Sequence, residues 1–224
     1  MSTYKQLARE QPKKTDIFIK TAANIVVWSK ENWQQLAKVG VALLVLLSVG
    51  VGINLYNKSL AQKANAQLYR ANQMLDLAKR KTALEDLLKD FPNTPAANYA
   101  LLDLGRMYKA AGENEKAQQS FQALSKQSQA QPMLYVSALF EEASLLVQAK
   151  EYEKAAMLYR EASVYPKNLL PLTSSFQEAL CYEQLGNFKK AQELHRIIVA
   201  SKMDKEQEIK ERSEERLLWL AIND

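Results

Sequence analysis

Cysteine and histidine are nearly missing from this chain of 224 residues, which has one of each, Cys181 and His195. A single cysteine excludes a disulfide within the chain, and a single histidine excludes a His-rich metal site. The sequence also lacks a phosphate-binding glycine loop and a paired-cysteine motif. We therefore expect no catalytic residues, cofactor, metal or small-molecule substrate, and we interpret Cys181 and His195 as buried packing residues.

Glycine and proline are scarce as well, with six of each. The rest of the sequence is rich in Ala, Leu, Lys, Glu and Gln, which favour helices. Long alternations of β-branched residues, which are typical of strands, are absent after residue 57. The predicted fold is all-α.

The positive charge is concentrated in one segment. The formal net charge is +5, and residues 1–38 contain seven basic and three acidic side chains. A nucleic-acid-binding protein usually carries its basic surface on the folded domain. Here the basic excess lies beside an apolar run, so we expect a membrane and not a nucleic acid as the partner of this segment.

The apolar run comprises residues 39–57, VGVALLVLLSVGVGINLYN, and its nineteen residues carry no charge. A helix of this length spans ~28 Å, close to the ~30 Å hydrocarbon thickness of a bilayer. A core helix would have a polar face, which this run lacks. A cleaved signal peptide would have a short leader, whereas thirty-eight residues precede the run. We predict one uncleaved transmembrane helix.

The anchor divides the chain into three predicted parts: a basic cytoplasmic tail (1–38), the transmembrane helix (39–57) and a helical repeat domain (58–224). The basic tail favours a single-pass protein with the tail in the cytoplasm and the repeat domain on the other side of the membrane. The inverted topology, with cytoplasmic repeats, remains an alternative.

The tail segment Asp16–Trp33 clusters apolar residues, among them Ile17, Phe18 and Trp28, with lysines. One interpretation is an amphipathic helix that lies in the membrane interface beside anionic headgroups. The other is a plain helical extension of the anchor.

The remaining chain contains an internal repeat. The stretches GENEKAQQSF, KEYEKAAMLY and GNFKKAQELH align on Ala117, Ala155 and Ala191. A small residue lies at the same offset upstream of each alanine, and these residues are Gly105, Ala143 and Ala179. Each unit is predicted to be two helices joined by a short turn, with the small residues where the helices cross closely. Two of these turns contain a glycine, Gly112 and Gly186, which suits the left-handed end of a helix.

These residues resemble the tetratricopeptide repeat (TPR), whose pattern places Leu-Gly, Tyr, Gly, Ala and an aromatic residue at fixed steps. The unit that starts at Asn98 matches it best, and the units that start at Val136 and Leu172 keep fewer positions. The repeats are longer than the usual thirty-four residues and lack the closing proline, so the turns between repeats are expected to be long, notably at residues 164–172. The resemblance implies an α-solenoid of about three helix-turn-helix repeats with capping helices.

Local patterns predict where the flanking helices begin. Thr82–Glu85, TALE, reads as a capping box at the start of one helix. Thr94 followed by Pro95 reads as the N-cap and first residue of the next helix. The segment from residue 59 to 80 is predicted as one helix that includes Leu75 and Ala78 on its apolar face.

In TPR proteins the first helices of successive repeats line a concave groove that accepts polypeptides. The resemblance therefore implies a binding groove formed by ten residues. They are Tyr99, Leu102, Arg106, Lys109, Phe140, Ser144, Gln148, Phe176, Leu180 and Glu183.

The layout of a short tail, one anchor and TPR-like helices also resembles the ancillary subunit of the bacterial Sec translocon. That resemblance implies a single-pass protein of a bacterial inner membrane with the repeat domain in the periplasm. It also implies an adaptor that assists protein translocation or chaperone hand-over, with Sec translocon subunits and periplasmic chaperones as partners. The alternative is a structural scaffold for an envelope complex in secretion, division or wall synthesis.

Overall fold

The computed structural model describes residues 14–223, apart from the side chains of residues 14–18, Asp204 and Asn223. The first part of the predicted tail and the side chains of Ile17 and Phe18 therefore lie outside the described residues. The described chain consists of helices joined by loops and turns, without a strand, which confirms the predicted all-α fold. Its contacts divide it into two units, with the boundary between Lys58 and Ser59.

The first unit consists of α1 (Lys14–Glu31) and most of α2 (Trp33–Asn72). Backbone hydrogen bonds continue past Asn32, which donates to Trp28 and accepts from Leu36. Residues 41–58 are all exposed. By length and composition α2 could cross a membrane.

The second unit begins with the end of α2 and with α3 (Leu77–Asp90). Ala64 and Ala71 of α2 are buried in one apolar cluster with Leu84 and Leu87 of α3. The predicted continuation of this helix to residue 80 is wrong. α2 ends at Asn72, and Leu75 is 99% exposed.

The predicted capping box at Thr82 is also wrong, because α3 begins five residues earlier. Its N-cap is Asp76, whose carboxylate accepts hydrogen bonds from the backbone N–H groups of Ala78 and Lys79 at 2.9 and 3.2 Å. Thr82 instead lies inside the helix, where its hydroxyl donates to the carbonyl of Ala78. A carboxylate at the N-terminus is the stronger start signal because it also meets the positive end of the helix dipole.

Three helix pairs follow, and they confirm the predicted repeats. Each pair packs as two antiparallel neighbours, and the second helix of each pair also packs against the first helix of the next. The pairs are α4 (Pro95–Ala110) with α5 (Asn114–Gln127), α6 (Pro132–Gln148) with α7 (Tyr152–Val164), and α8 (Pro171–Gln184) with α9 (Phe188–Ala200). Thr94 caps α4 as predicted, since its side chain accepts from the N–H of Ala97.

The small residues have the predicted steric role. A Cβ at Gly105 would lie 2.4 Å from Cε1 of Phe121, a ring that is fully buried between α4 and α5. Gly112 and Gly186 both have positive φ, at 75° and 71°. Lys150 occupies the matching turn of the second repeat with φ of 61°, a conformation that costs an L-residue about 1–2 kcal/mol.

A 3₁₀ turn (Asp204–Glu206) and α10 (Gln207–Asn223) close the array. α10 packs on α9 and α8. The buried carboxylate of Glu206 accepts hydrogen bonds from the N–H groups of Leu172 and Thr173 at 2.9 and 2.7 Å, and from the Thr173 hydroxyl. A carboxylate from the far end of the chain therefore caps the N-terminus of α8.

Candidate partner-binding groove

An apolar cleft lies between α6 and the loop that joins α7 to α8. Its volume is about 350 Å³. Val136 and Phe140 of α6 form its floor, while Met133, Leu169 and Leu170 line it and are 70%, 61% and 52% exposed. Exposed apolar side chains gathered around a concave space are typical of a ligand or peptide site.

The loop that forms one wall of this cleft is held by Asn168. Its amide donates to the carbonyl of Ala162 at 2.7 Å and to the Ser174 hydroxyl at 3.1 Å, and its carbonyl accepts from the N–H of Leu170. Lys167 has a positive φ of 67°. These bonds fix a loop that presents Leu170 to the cleft, so the wall is built before any partner arrives.

Charged side chains line the edge of the cleft next to α4. Nε of Arg106 donates to Glu141 at 2.7 Å, and Nζ of Lys109 donates to the other oxygen of the same carboxylate at 3.1 Å and also to Ser144. Burial raises the pKa of Glu141, but the hydrogen bonds from both cations outweigh it, so the pKa is lowered. Glu141 is therefore ionised, and each of its two oxygens accepts a hydrogen bond from a cation.

Phe140 is the aromatic side chain of this cleft. Its ring packs edge-on against the buried ring of Tyr159, with centroids 5.2 Å apart. Burial raises the pKa of Tyr159 to about 12, so its hydroxyl stays neutral. The contact holds the Phe140 ring in one orientation while its exposed side lines the cleft.

The structure separates the ten residues of the implied groove into three groups. Three line or border the cleft, and they are Arg106, Phe140 and Lys109. Tyr99 and Gln148 are exposed but do not line the cleft, and Ser144 is partly buried. The other four lie inside the protein, with Leu102, Phe176 and Glu183 buried and Leu180 partly buried against the core.

In the third repeat, α10 and the turn before it cover part of α8. Arg212 of α10 lies over the ring of Phe176, with its guanidinium carbon 4.7 Å from the centroid. Arg216 of α10 donates to both carboxylate oxygens of Glu183. Ile209 packs on the same cluster. The apolar cleft is therefore lined mainly by α6 and the loop before α8, with Thr173 as its residue from α8.

His195 is fully buried at the centre of this end of the protein. Its Nε2 lies 3.0 Å from the carboxylate of Glu183, and its ring packs edge-on against Phe176. Burial lowers the pKa of His195, more than the hydrogen bond with Glu183 raises it. It occupies the repeat position of Phe121 and Tyr159, which agrees with a packing role.

Cys181 is also buried, and it packs with Ala155, Ala156 and Tyr159. Burial raises the pKa of its thiol to about 11, which keeps it protonated and unreactive at neutral pH. Among the residues that the structure describes, no group of three His, Cys, Asp or Glu side chains is placed to hold a metal ion.

The cleft wall formed by residues 167–170 was not among the predicted groove residues. The sequence did indicate an unusually long turn there, between repeats that are 36 residues apart rather than thirty-four. The length of that turn was therefore the available signal. Its contribution to the site depends on the side-chain bonds of Asn168, which repeat alignment does not reveal.

Comparison with known proteins gives one family. A model described as the tetratricopeptide repeat matches residues 99–128, which cover most of α4 and all of α5. No curated protein matches the chain. The match supports a TPR-repeat protein, and α6 to α9 continue the same helix-pair arrangement beyond the matched range. Such repeats are characteristic of adaptors in protein–protein interactions.

Proposed function

We propose that the chain is a membrane-anchored adaptor that holds an apolar stretch of polypeptide in the cleft beside α6. The observation that carries this proposal is the set of exposed apolar side chains, Met133, Leu169 and Leu170, around a preformed concave space. Proteins seldom expose such groups together unless they bind something. An extended polypeptide fits a groove of this kind better than a flat folded surface does.

The anchor in this proposal is the apolar part of α2. Its length and composition suit a bilayer, and residues 41–58 are exposed along the helix. Tethering would raise the effective concentration of the cleft beside a membrane partner. Each cleft contact can then be weak and release fast.

The cellular process in the proposal is protein translocation across a bacterial inner membrane, with the repeat domain in the periplasm and the tail in the cytoplasm. Its support is the resemblance in layout to the ancillary subunit of the Sec translocon. The partners would be translocon subunits and periplasmic chaperones, and the clients would be emerging polypeptides.

Topology is tested by adding protease to spheroplasts that express the chain. The proposal expects the repeat domain to be degraded and a membrane-protected fragment with the anchor to remain. Protection of the repeat domain in intact spheroplasts, with degradation after lysis, would contradict the orientation and support the inverted topology.

The cleft is tested by photocrosslinking in cells from two exposed methionine positions. Met133 lines the cleft, and Met157, which is 62% exposed on α7, does not. A photoreactive residue at position 133 is expected to capture translocon subunits or newly exported chains, and one at position 157 is not. Equal capture from both positions would contradict a specific cleft.

The scaffold function is the second candidate, and one observation favours it. α10 covers part of the third-repeat face, which leaves a short groove and places a folded surface where a longer peptide site would be. A scaffold would bind one folded envelope protein. Capture of a single folded partner from position 133, with no exported chains, would support this alternative over translocation.

A further inference from the structure

A second apolar cleft lies on the other side of α4, between the start of α3 and the end of α4. Its volume is about 500 Å³. Leu77 at its edge is 67% exposed, and Ala78, Ala110 and Ala111 leave space where larger side chains would fill it. Nothing in the repeat pattern marks this cleft, because α3 precedes the first recognisable repeat.

Arg106 joins the two clefts, since its side chain lines both. The side chain is 52% exposed. Its Nε donates to Glu141, and among the described residues no partner is seen for its two terminal nitrogens. A guanidinium group in this position can donate to a further acceptor that lies across the ridge between the clefts.

The side chains around the two clefts carry more positive than negative charge. Glu141 is shared by Arg106 and Lys109, and at the second cleft Glu113 is shared by Lys81 and Lys116, whose Nζ atoms lie 3.1 and 2.5 Å from its oxygens. These hydrogen bonds lower the pKa of Glu113, so it is ionised. Lys167 adds a further cation at the first cleft. Each of these two carboxylates is already paired with two cations, so the surface around the two clefts keeps a net positive charge.

From this geometry we infer that the occupant is a polypeptide with an acidic side chain between two apolar residues. The apolar residues enter the two clefts, and the carboxylate binds the terminal nitrogens of Arg106. The charge complementarity selects against a lysine at the central position. This inference rests on the proposed function, because it specifies which polypeptides the same groove prefers.

The test uses the full-length chain in detergent micelles and fluorescein-labelled synthetic peptides of eleven residues. The peptides have leucines on both sides of a central aspartate, asparagine or lysine, and their binding is measured by fluorescence anisotropy. The aspartate peptide is expected to bind about threefold to fivefold more tightly than the asparagine peptide, the range of a partly exposed charge pair. The preference should shrink as salt is raised.

Two pairs of variants locate the effect. Arg106→Gln is expected to abolish the preference for aspartate, whereas Arg196→Gln, on exposed α9 surface, keeps it. Ala110→Trp is expected to fill the second cleft and weaken the aspartate peptide several-fold, whereas Ala221→Trp, on exposed α10 surface, has no effect.

The outcomes separate the inference from the proposed function. Ser137→Trp blocks the first cleft and serves as the control for binding there. If this variant weakens the aspartate and lysine peptides alike and the wild-type chain binds both equally well, the groove binds polypeptides. In that case the proposed function stands and the inference is wrong. If Ala110→Trp leaves the affinity of the aspartate peptide unchanged, the second cleft is not part of the site. If no peptide binds the wild-type chain, the proposed function fails together with the inference.

Discussion

Substitution of Gly105 by alanine tests the close crossing of α4 and α5. An added Cβ would lie 2.4 Å from Cε1 and 2.8 Å from Cδ1 and Cζ of Phe121. Ordinary carbon contacts are about 3.5–4.0 Å, so the ring or the helix must move by roughly 1 Å. Because Phe121 is fully buried, that movement displaces its neighbours.

The magnitude follows from two opposed effects. Overpacking of a buried core costs about 1–3 kcal/mol, and three ring atoms in collision favour the upper end. Alanine in place of glycine inside a helix returns about 1 kcal/mol. Gly105→Ala should therefore lower the free energy of unfolding by about 2 kcal/mol. Elsewhere on a helix, the same change normally stabilises the protein.

Urea unfolding of the full-length chain in micelles, followed by circular dichroism, measures this change. With a slope of about 2 kcal/mol per molar urea, the midpoint should fall by about 1 M. Phe121→Leu removes the collision, so in the double variant the cost of Gly105→Ala should largely disappear. An unchanged or raised midpoint for Gly105→Ala alone would refute the steric explanation of the repeat.

Three further predictions are tested by the same unfolding assay. Lys150→Gly should stabilise the protein by about 0.5–1 kcal/mol because it relieves a positive φ of 61°. Its control, Lys154→Gly inside α7, should destabilise the protein by about 1 kcal/mol. A loss of stability in both variants would contradict backbone strain at Lys150. The wild-type chain should lose stability as pH falls below about 6.5, because burial lowers the pKa of His195 and the unfolded chain then binds the proton more readily. His195→Phe should remove that part of the pH dependence, and an unchanged profile would assign it to other groups. Glu206→Ala should cost about 2 kcal/mol, since it leaves two α8 N–H groups without their charged acceptor; a neutral result would mean that water replaces the carboxylate.

Sequence reasoning predicted what depends on local pattern. The phase of the repeats follows from Ala117, Ala155 and Ala191, and the turn glycines from the need for positive φ. Thr94 was identified as a cap because its hydroxyl accepts from the backbone N–H of Ala97, only three residues along the chain. These features need only neighbouring residues, so one sequence is enough to reveal them.

The errors lie where distant segments decide the structure. Repeat alignment placed Phe176 and Glu183 in an open groove, yet Arg212 and Arg216 of α10 cover them from thirty or more residues away in sequence. Thr82 satisfies the capping-box pattern, but Asp76 begins the helix earlier. The long loop at residues 167–170 was recognised by its length, while its role as a cleft wall depends on tertiary packing.

The measurement that tests the central claim most directly is the affinity of the full-length chain for an unfolded, apolar polypeptide when the first cleft is blocked. Ser137 lines that cleft, and Ser163, on α7, is the matched control outside it. The account predicts that Ser137→Trp weakens binding at least about tenfold, as expected when the main apolar contact area is lost, while Ser163→Trp retains wild-type affinity and both variants keep their helical signal. Equal affinity of the wild-type chain and Ser137→Trp would contradict the claim that this cleft is where the adaptor holds its partner.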